Sequence, residues 1–185
     1  MAAPAWGAQI LGQLAFHWEN VMRPRLRGLD DDEYFWEPVE GCWSVRPRPH
    51  GTFAIDSARP EPDPPPVTTI AWRLSHIIVP VLEIRIDHHF GDRTMSLDNA
   101  VWPGSAAAAL DRLERAYRRW CGEVAELGDA ELAAPVGDAE PPQWSQHSFA
   151  TLALHVNREI IHHHAEVALL RDLYRSHPAH RGDAV

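Results

Sequence analysis

Four stretches of the chain repeat apolar residues at spacings of three and four, the pattern of a helix with one buried face. In residues 8–26 the stripe is Leu11, Leu14, Ala15, Trp18, Val21 and Met22, with Pro24 near its end. A second stretch, 68–88, opens with two threonines able to cap a helix and stops before Gly91. Pro80 lies inside it and takes a backbone donor away from the carbonyl of His76, so a kink is expected there. The third, 105–128, starts at Ser105 as N-cap and carries Leu110, Leu113, Tyr117, Trp120, Cys121, Val124 and Leu127, with Gly128 as its stop. The fourth covers 148–174.

The segments between them read differently. Residues 29–49 are acidic and aromatic and lose helix formers after Glu33. Residues 47–66 are too rich in proline for a regular helix, and "GTFAID" within them suggests a short strand or an extended strap. Residues 129–146 read as a polar loop and 175–185 as a loose tail. The expectation is an all-α fold, a four-helix bundle forming one domain over 1–185, with a proline-rich insertion between the first and second helices.

Composition narrows the function classes. The chain has 185 residues, 45% of them hydrophobic, and a formal net charge of −9. That length can bury a core, and that charge argues against a nucleic-acid surface, which needs a basic stripe. No apolar run reaches membrane-spanning length, and the N-terminal residues lack the basic start of a secretory signal. The two cysteines, Cys42 and Cys121, are far apart and outside any metal-type spacing, so reduced, structural thiols in a cytoplasmic protein are expected. Richness in Ala, Arg, Pro and Asp with very little Lys suggests a high-GC genome.

The candidate chemistry lies in "HVNREIIHHHAEVALLRDLY", residues 155–174. At about 100° per residue, Glu159 falls about 40° round the helix from His155 and His163 about 80° round. Both share a sector with Leu152 and Leu170, while His164 and Arg158 fall on flanks able to be wet. A buried carboxylate and imidazole one turn apart are costly unless paired or bound to a metal. As Glu and His at i and i+4 they bring two ligand atoms to one cation. His76, in the apolar run "AWRLSHIIV", is the best third ligand. Two imidazoles and a carboxylate suit Zn²⁺, with Ni²⁺, Fe²⁺ or Mn²⁺ open, and leave a position for water or substrate. His155, His162 and Glu83 are candidates for the surrounding shell. Trp18, Trp72 and Trp120 fall on apolar stripes and are expected in the core. Of Trp36, Trp43, Trp102 and Trp144 in the connectors, one or two are candidates to wall a pocket. His88 and His89, ending helix two, suit the helix dipole and a structural role.

Taken in order, the long first helix, "EYFWEPVEGCWSV", a helix bearing "WRLSHI", a third helix and then "HVNREIIHHHAEV" resemble the DinB-like (DinB/YfiT-like) metalloenzymes. The resemblance covers most of the chain, with 47–66 as an insertion. It implies a four-helix bundle, a divalent metal on three residues, and His76 as the helix-two ligand. Most members carry His-x3-His on helix four. Here Arg158 stands four residues before His162, so the fitting pair is Glu159 with His163; His155 with Glu159, or His162 as ligand, stay open. A Glu-x3-His pair is similar to that of mycothiol-dependent maleylpyruvate isomerases. Those enzymes have a further C-terminal domain without counterpart after helix four here, so maleylpyruvate is not carried over. The class implied is a low-molecular-weight-thiol-dependent transferase or isomerase acting on a small molecule, mycothiol being a fitting co-substrate and a homodimer the family expectation. A metal-dependent hydrolase and a non-catalytic binding or dimerisation module are the alternatives.

Overall fold

The computed structural model describes residues 5–180. All four expected helices are present, and two contain a widened turn. The first runs Trp6–His17, passes through a π-helical stretch, Trp18–Met22, and ends with Arg23–Leu26. The second runs Ile70–His76, then a π-helical stretch, Ile77–Glu83, then Ile84–Phe90. In each π stretch a backbone N–H reaches five residues back, from Arg23 to the Trp18 carbonyl and from Ile84 to that of Val79. A proline cannot donate to the carbonyl four residues earlier, and a wider turn gives that carbonyl a later donor. The π stretch that accommodates Pro80 begins immediately after His76.

Capping sets the helix starts. Thr69, Ser105 and Ser148 accept through their hydroxyls from the backbone N–H groups of Trp72, Ala108 and Thr151. The third long helix is Ala106–Ala125 and ends before Leu127, the last position of its apolar pattern. Gly128 does not stop it; its N–H donates to the Glu131 carboxylate (2.8 Å) and opens a short helix, Asp129–Ala133, inside the expected loop. The fourth helix, Phe149–Ser176, is the longest. Past Tyr174, where a loose tail was expected, the chain stays helical to Ser176 and closes in a 3-10 turn, Pro178–His180. The His180 ring stacks on Tyr174 at 4.0 Å; residues 181–185 lie outside the described residues.

The four apolar stripes meet in one core. Leu14, Trp18 and Met22 from the first helix join Ile70, Leu74, Ile77, Ile78 and Leu82 from the second, Leu113, Trp120 and Val124 from the third, and Val156, Ile160 and Val167 from the fourth. Trp18 lies flat on Tyr117 at 3.8 Å, and Trp120 lies beside Phe149. Among the described residues the only sheet is a two-stranded antiparallel hairpin, β1 (Val45–Pro47) with β2 (Phe53–Ile55), with Val45 opposite Ile55 and Pro47 opposite Phe53. The strand expected in "GTFAID" is therefore β2. Phe53 packs so closely on Gly104 that a Cβ there would lie 2.1 Å from its ring.

This hairpin fixes the approach to helix two. The Trp43 N–H donates to the Val67 carbonyl and the Thr69 N–H to the Trp43 carbonyl, both at 2.9 Å. The Thr69 hydroxyl donates to that of Ser44 (2.9 Å). Asp56 accepts from the Ser44 N–H (2.9 Å) and the Arg46 Nε (3.0 Å), while its carbonyl accepts from the Trp72 indole (2.8 Å). The proline-rich stretch thus returns the chain to the first turn of helix two and holds Trp72 beside His76.

One flank of helix four departs from the sequence reading. His164, expected on a side able to be wet, is 1% exposed. Helix one covers that side, and the Nε2 of His17 lies 3.1 Å from the Nδ1 of His164. Burial, helped by the neighbouring His17 and Arg25 from helix one, pushes the His164 imidazole down to about 4. Its value in the unfolded chain, near 6.5, is higher. The unfolded state therefore binds the proton first: this contribution to stability is full above about pH 6.5 and is lost as pH falls toward 4. In urea melts of the metal-free chain, the drop in midpoint between pH 7 and pH 5 should be clearly smaller in His164→Gln. Equal drops in the two proteins would remove His164 as a cause.

Candidate metal centre

Three side chains from two helices converge beside the π turn. His76 projects from the last regular turn before the π stretch of helix two, Glu159 and His163 from successive turns of helix four. The Nε2 of His163 lies 3.2 Å from the Glu159 Oε2, and the Nε2 of His76 lies 3.8 Å from the same oxygen. One ligand atom from each of the three residues lies within 4.8 Å of the others. The two imidazoles meet edge to face at 4.7 Å. His163 is the most deeply placed, with 9% of its side chain exposed. His76 stacks on Trp72 at 5.3 Å with ring planes 6° apart, and Trp43 lies 6.2 Å from Trp72. Trp72, expected in the core, is therefore half-buried and forms a wall of this cluster, with Trp43 behind it.

The hydrogen-bond pattern sets where the lone pairs point. The Nδ1 of His163 lies 2.7 Å from the Glu166 Oε2 and 3.3 Å from NH1 of Arg73. A guanidinium only donates and an ionised carboxylate only accepts. The shorter, charge-assisted contact puts the proton on Nδ1, where it is donated to Glu166. Arg73 in turn pairs with Glu166 at 3.1 Å. In the neutral ring the Nε2 of His163 then carries a lone pair facing the Glu159 carboxylate. Burial, with the nearby His163 adding to it, pushes His76 down to about 4, so its ring is neutral at pH 7 and holds a second lone pair. Burial pushes Glu159 upward, but His155, His163, His76 and Arg158 outweigh it, so the carboxyl sits below its ordinary range and is ionised. Three lone-pair donors facing one another repel unless a cation lies among them. That is the donor set of a divalent-metal site with a carboxylate behind one imidazole.

The remaining candidates fall at different distances from this point. His155 lies on the rim, its Nδ1 3.5 Å from the Glu159 Oε1. His162 points outward, 64% exposed, with Nε2 3.7 Å from the Glu166 Oε1; with His163 and Glu166 it forms a second, more open group able to hold an ion. Glu83 is not brought to the cluster: Arg112 of the third helix grips both its oxygens, at 3.1 and 2.5 Å. Sequence reasoning missed Glu166 and Arg73, although Glu166 lies three residues beyond His163 on the same side of helix four. It also missed Arg85, which reaches the His155 Nε2 (3.2 Å) and lies 3.5 Å from Glu140. His88 and His89 act as expected, bonding to loops: His88 to the Met95 and Ala139 carbonyls, His89 to the Glu140 carboxylate. Trp102 is buried and Trp144 exposed, and both cysteines are free.

A mostly helical fold in which two imidazoles and a carboxylate converge between two helices is an arrangement able to hold a divalent ion. The family model described as the DinB superfamily matches residues 13–167, and the chain belongs to that superfamily. The match takes in His76, Glu159, His163 and Glu166. Neither the curated proteins nor the solved structures give a match to the chain.

Proposed function

We propose that the chain is a divalent-metal protein whose four long helices form the bundle of its superfamily, with residues 47–66 as an insertion, and whose ion is held by His76, Glu159 and His163. The observation that carries this reading is the convergence of one ligand atom each from His76, Glu159 and His163 within 4.8 Å, with the Glu166 carboxylate 2.7 Å behind the His163 ring. Two imidazoles and a carboxylate favour zinc, and nickel, iron or manganese suit the same donors. When bound, such an ion supplies Lewis acidity, which lowers the pKa of a water or thiol at its open position. Around it, Glu166 and Arg73 fix the ring of His163, Trp72 fixes that of His76, and His155 lies next to Glu159 where a proton can be taken up or released.

The reaction class we infer is transfer or isomerisation with a low-molecular-weight thiol of the mycothiol type as co-substrate and a small electrophile as substrate, in the cytoplasm. The likeness of the Glu-x3-His pair to that of thiol-dependent isomerases supports it. A metal-dependent hydrolase uses the same groups. Exposed Phe16 on helix one and Leu154, Leu169 and Leu173 on helix four offer apolar faces that a homodimer would cover. Among the described residues no helix is long and apolar enough to cross a membrane. The test is elemental analysis of protein purified without a histidine tag or metal column, followed by turnover of small thiols with electrophiles. About one divalent ion per chain and thiol consumption that stops on chelation are expected. A metal-free, fully folded chain would instead favour a non-catalytic binding module.

A further inference from the structure

His155 is held between two cations in a way that cannot satisfy both. Its Nδ1 lies 2.6 Å from NH2 of Arg158 and its Nε2 lies 3.2 Å from NH2 of Arg85. Both guanidiniums are donors only, and a neutral imidazole has one lone pair and one N–H. If Nδ1 accepts from Arg158, the shorter contact, the proton sits on Nε2 and faces another N–H on Arg85. Two donors then point at each other with no acceptor between them. Arg85 is otherwise well fixed: its NH1 donates to the Pro80 carbonyl (2.6 Å). Its Nε is buried without a hydrogen bond, 3.5 Å from the Glu140 carboxylate. Arg158 is 70% exposed and free to swing.

The local charge points the same way. Glu140, Glu159 and Glu166 stand against Arg73, Arg85 and Arg158, so the rim is balanced with no ion present. A divalent ion on Glu159 would leave a surplus of two positive charges in a partly buried crevice, where charges are weakly screened. An anion with an acceptor oxygen between Arg85 and His155 relieves the donor conflict and reduces the surplus. A planar monoanion fits better than a tetrahedral dianion, because Glu140 and Glu159 stand close by and would repel a second negative charge.

We infer that Arg85, His155 and Arg158 form a carboxylate-binding site on the rim of the candidate metal centre, so that the small-molecule substrate carries a carboxylate. The inference rests on the metal reading above for its coupling to the ion, and on the paired donors alone for the site itself. Occupancy by the metal and by the carboxylate should favour each other reciprocally.

Calorimetric titrations at fixed ionic strength test it, with sodium acetate as the carboxylate probe and sodium sulfate as the tetrahedral dianion, into zinc-loaded and metal-free chain. Acetate should bind the loaded chain about tenfold more tightly than the metal-free chain. Arg85→Gln should weaken acetate about tenfold or more in both forms while zinc stoichiometry is unchanged. Arg158→Gln, at an exposed position where folding is not at stake, should weaken it by a smaller factor. Acetate binding as tight in both variants as in the parent would show that the carboxylate simply meets the metal, and would overturn the site. Tighter binding of sulfate than of acetate would overturn the carboxylate assignment. If the chain takes up no zinc, the metal reading falls, and the metal-free titrations of the parent, Arg85→Gln and Arg158→Gln still decide this site.

Discussion

His163→Ala should lower zinc affinity by at least about a hundredfold, the upper end of what even an outer partner of a metal ligand costs. His163 is the least exposed of the three convergent side chains and the one whose tautomer is fixed from behind. Removing it leaves Glu159 with His76 alone, too few donors for a closed set. Glu166→Gln should cost about ten- to a hundredfold without changing the stoichiometry. An amide still contacts the ring but no longer holds the Nδ1 proton by charge, so the Nε2 lone pair is less firmly aimed at the centre. His162→Ala is the control, because that ring is largely in solvent. Chelator-competition titration with zinc reads all three, with far-UV circular dichroism checking that each variant is folded. If His162→Ala costs as much as His163→Ala, the more open group of His162, His163 and Glu166 holds the ion and the placement on Glu159 is wrong.

These outcomes also bear on what a helical wheel reveals. The stripes of Leu14, Trp18 and Met22 and of Leu113, Trp120 and Val124 were legible because a core-facing side repeats with the helix itself. The same wheel put Glu159 and His163 on the inner side of helix four. It also held Glu166 in nearly that direction, an unread signal, since a carboxylate three residues from an imidazole is within reach of its far nitrogen. His164 shows the limit: a wheel gives direction, but not which directions another helix covers, and helix one covers that one. Glu83 shows a second limit. Its spacing from His76 puts both on one side of a regular helix, but it lies about 10 Å further along the axis and beyond a turn that Pro80 widens, which shifts the phase of the later residues. Arg112 takes it instead. Arg85 and Glu140 were out of reach for a different reason: their pairing depends on how a loop folds back, which no local period encodes.

The largest expected loss of stability lies away from the centre, in a pair the periodicity did not mark. Arg171, on helix four, has no exposed side-chain surface and forms a two-point ion pair with Glu33, its Nε and NH2 each donating at 2.7 Å to one carboxylate oxygen. Its NH1 donates to the carbonyls of Arg25 and Arg27 at the end of helix one, the latter at 3.1 Å. One side chain thus joins the end of helix one, the short helix Asp31–Tyr34 and the last third of helix four. Removing one member strands the other as a buried, uncompensated charge, which costs about 3–5 kcal/mol. Arg171→Ala and Glu33→Ala should each lose about that much in urea denaturation. The double variant should cost less than the two together, because neither charge is then left alone. Arg171→Ala should remain the worse single change, since it also releases two carbonyls that were accepting hydrogen bonds. The same helix carries Glu159 and His163 some turns earlier, so the pair also fixes how that helix lies against helix one. A loss below about 1 kcal/mol in both single variants would mean that water replaces the pair in the folded state, and the connector would then be held by the Tyr34 hydroxyl on the Pro103 carbonyl and by Asp31 on the Ala106 N–H.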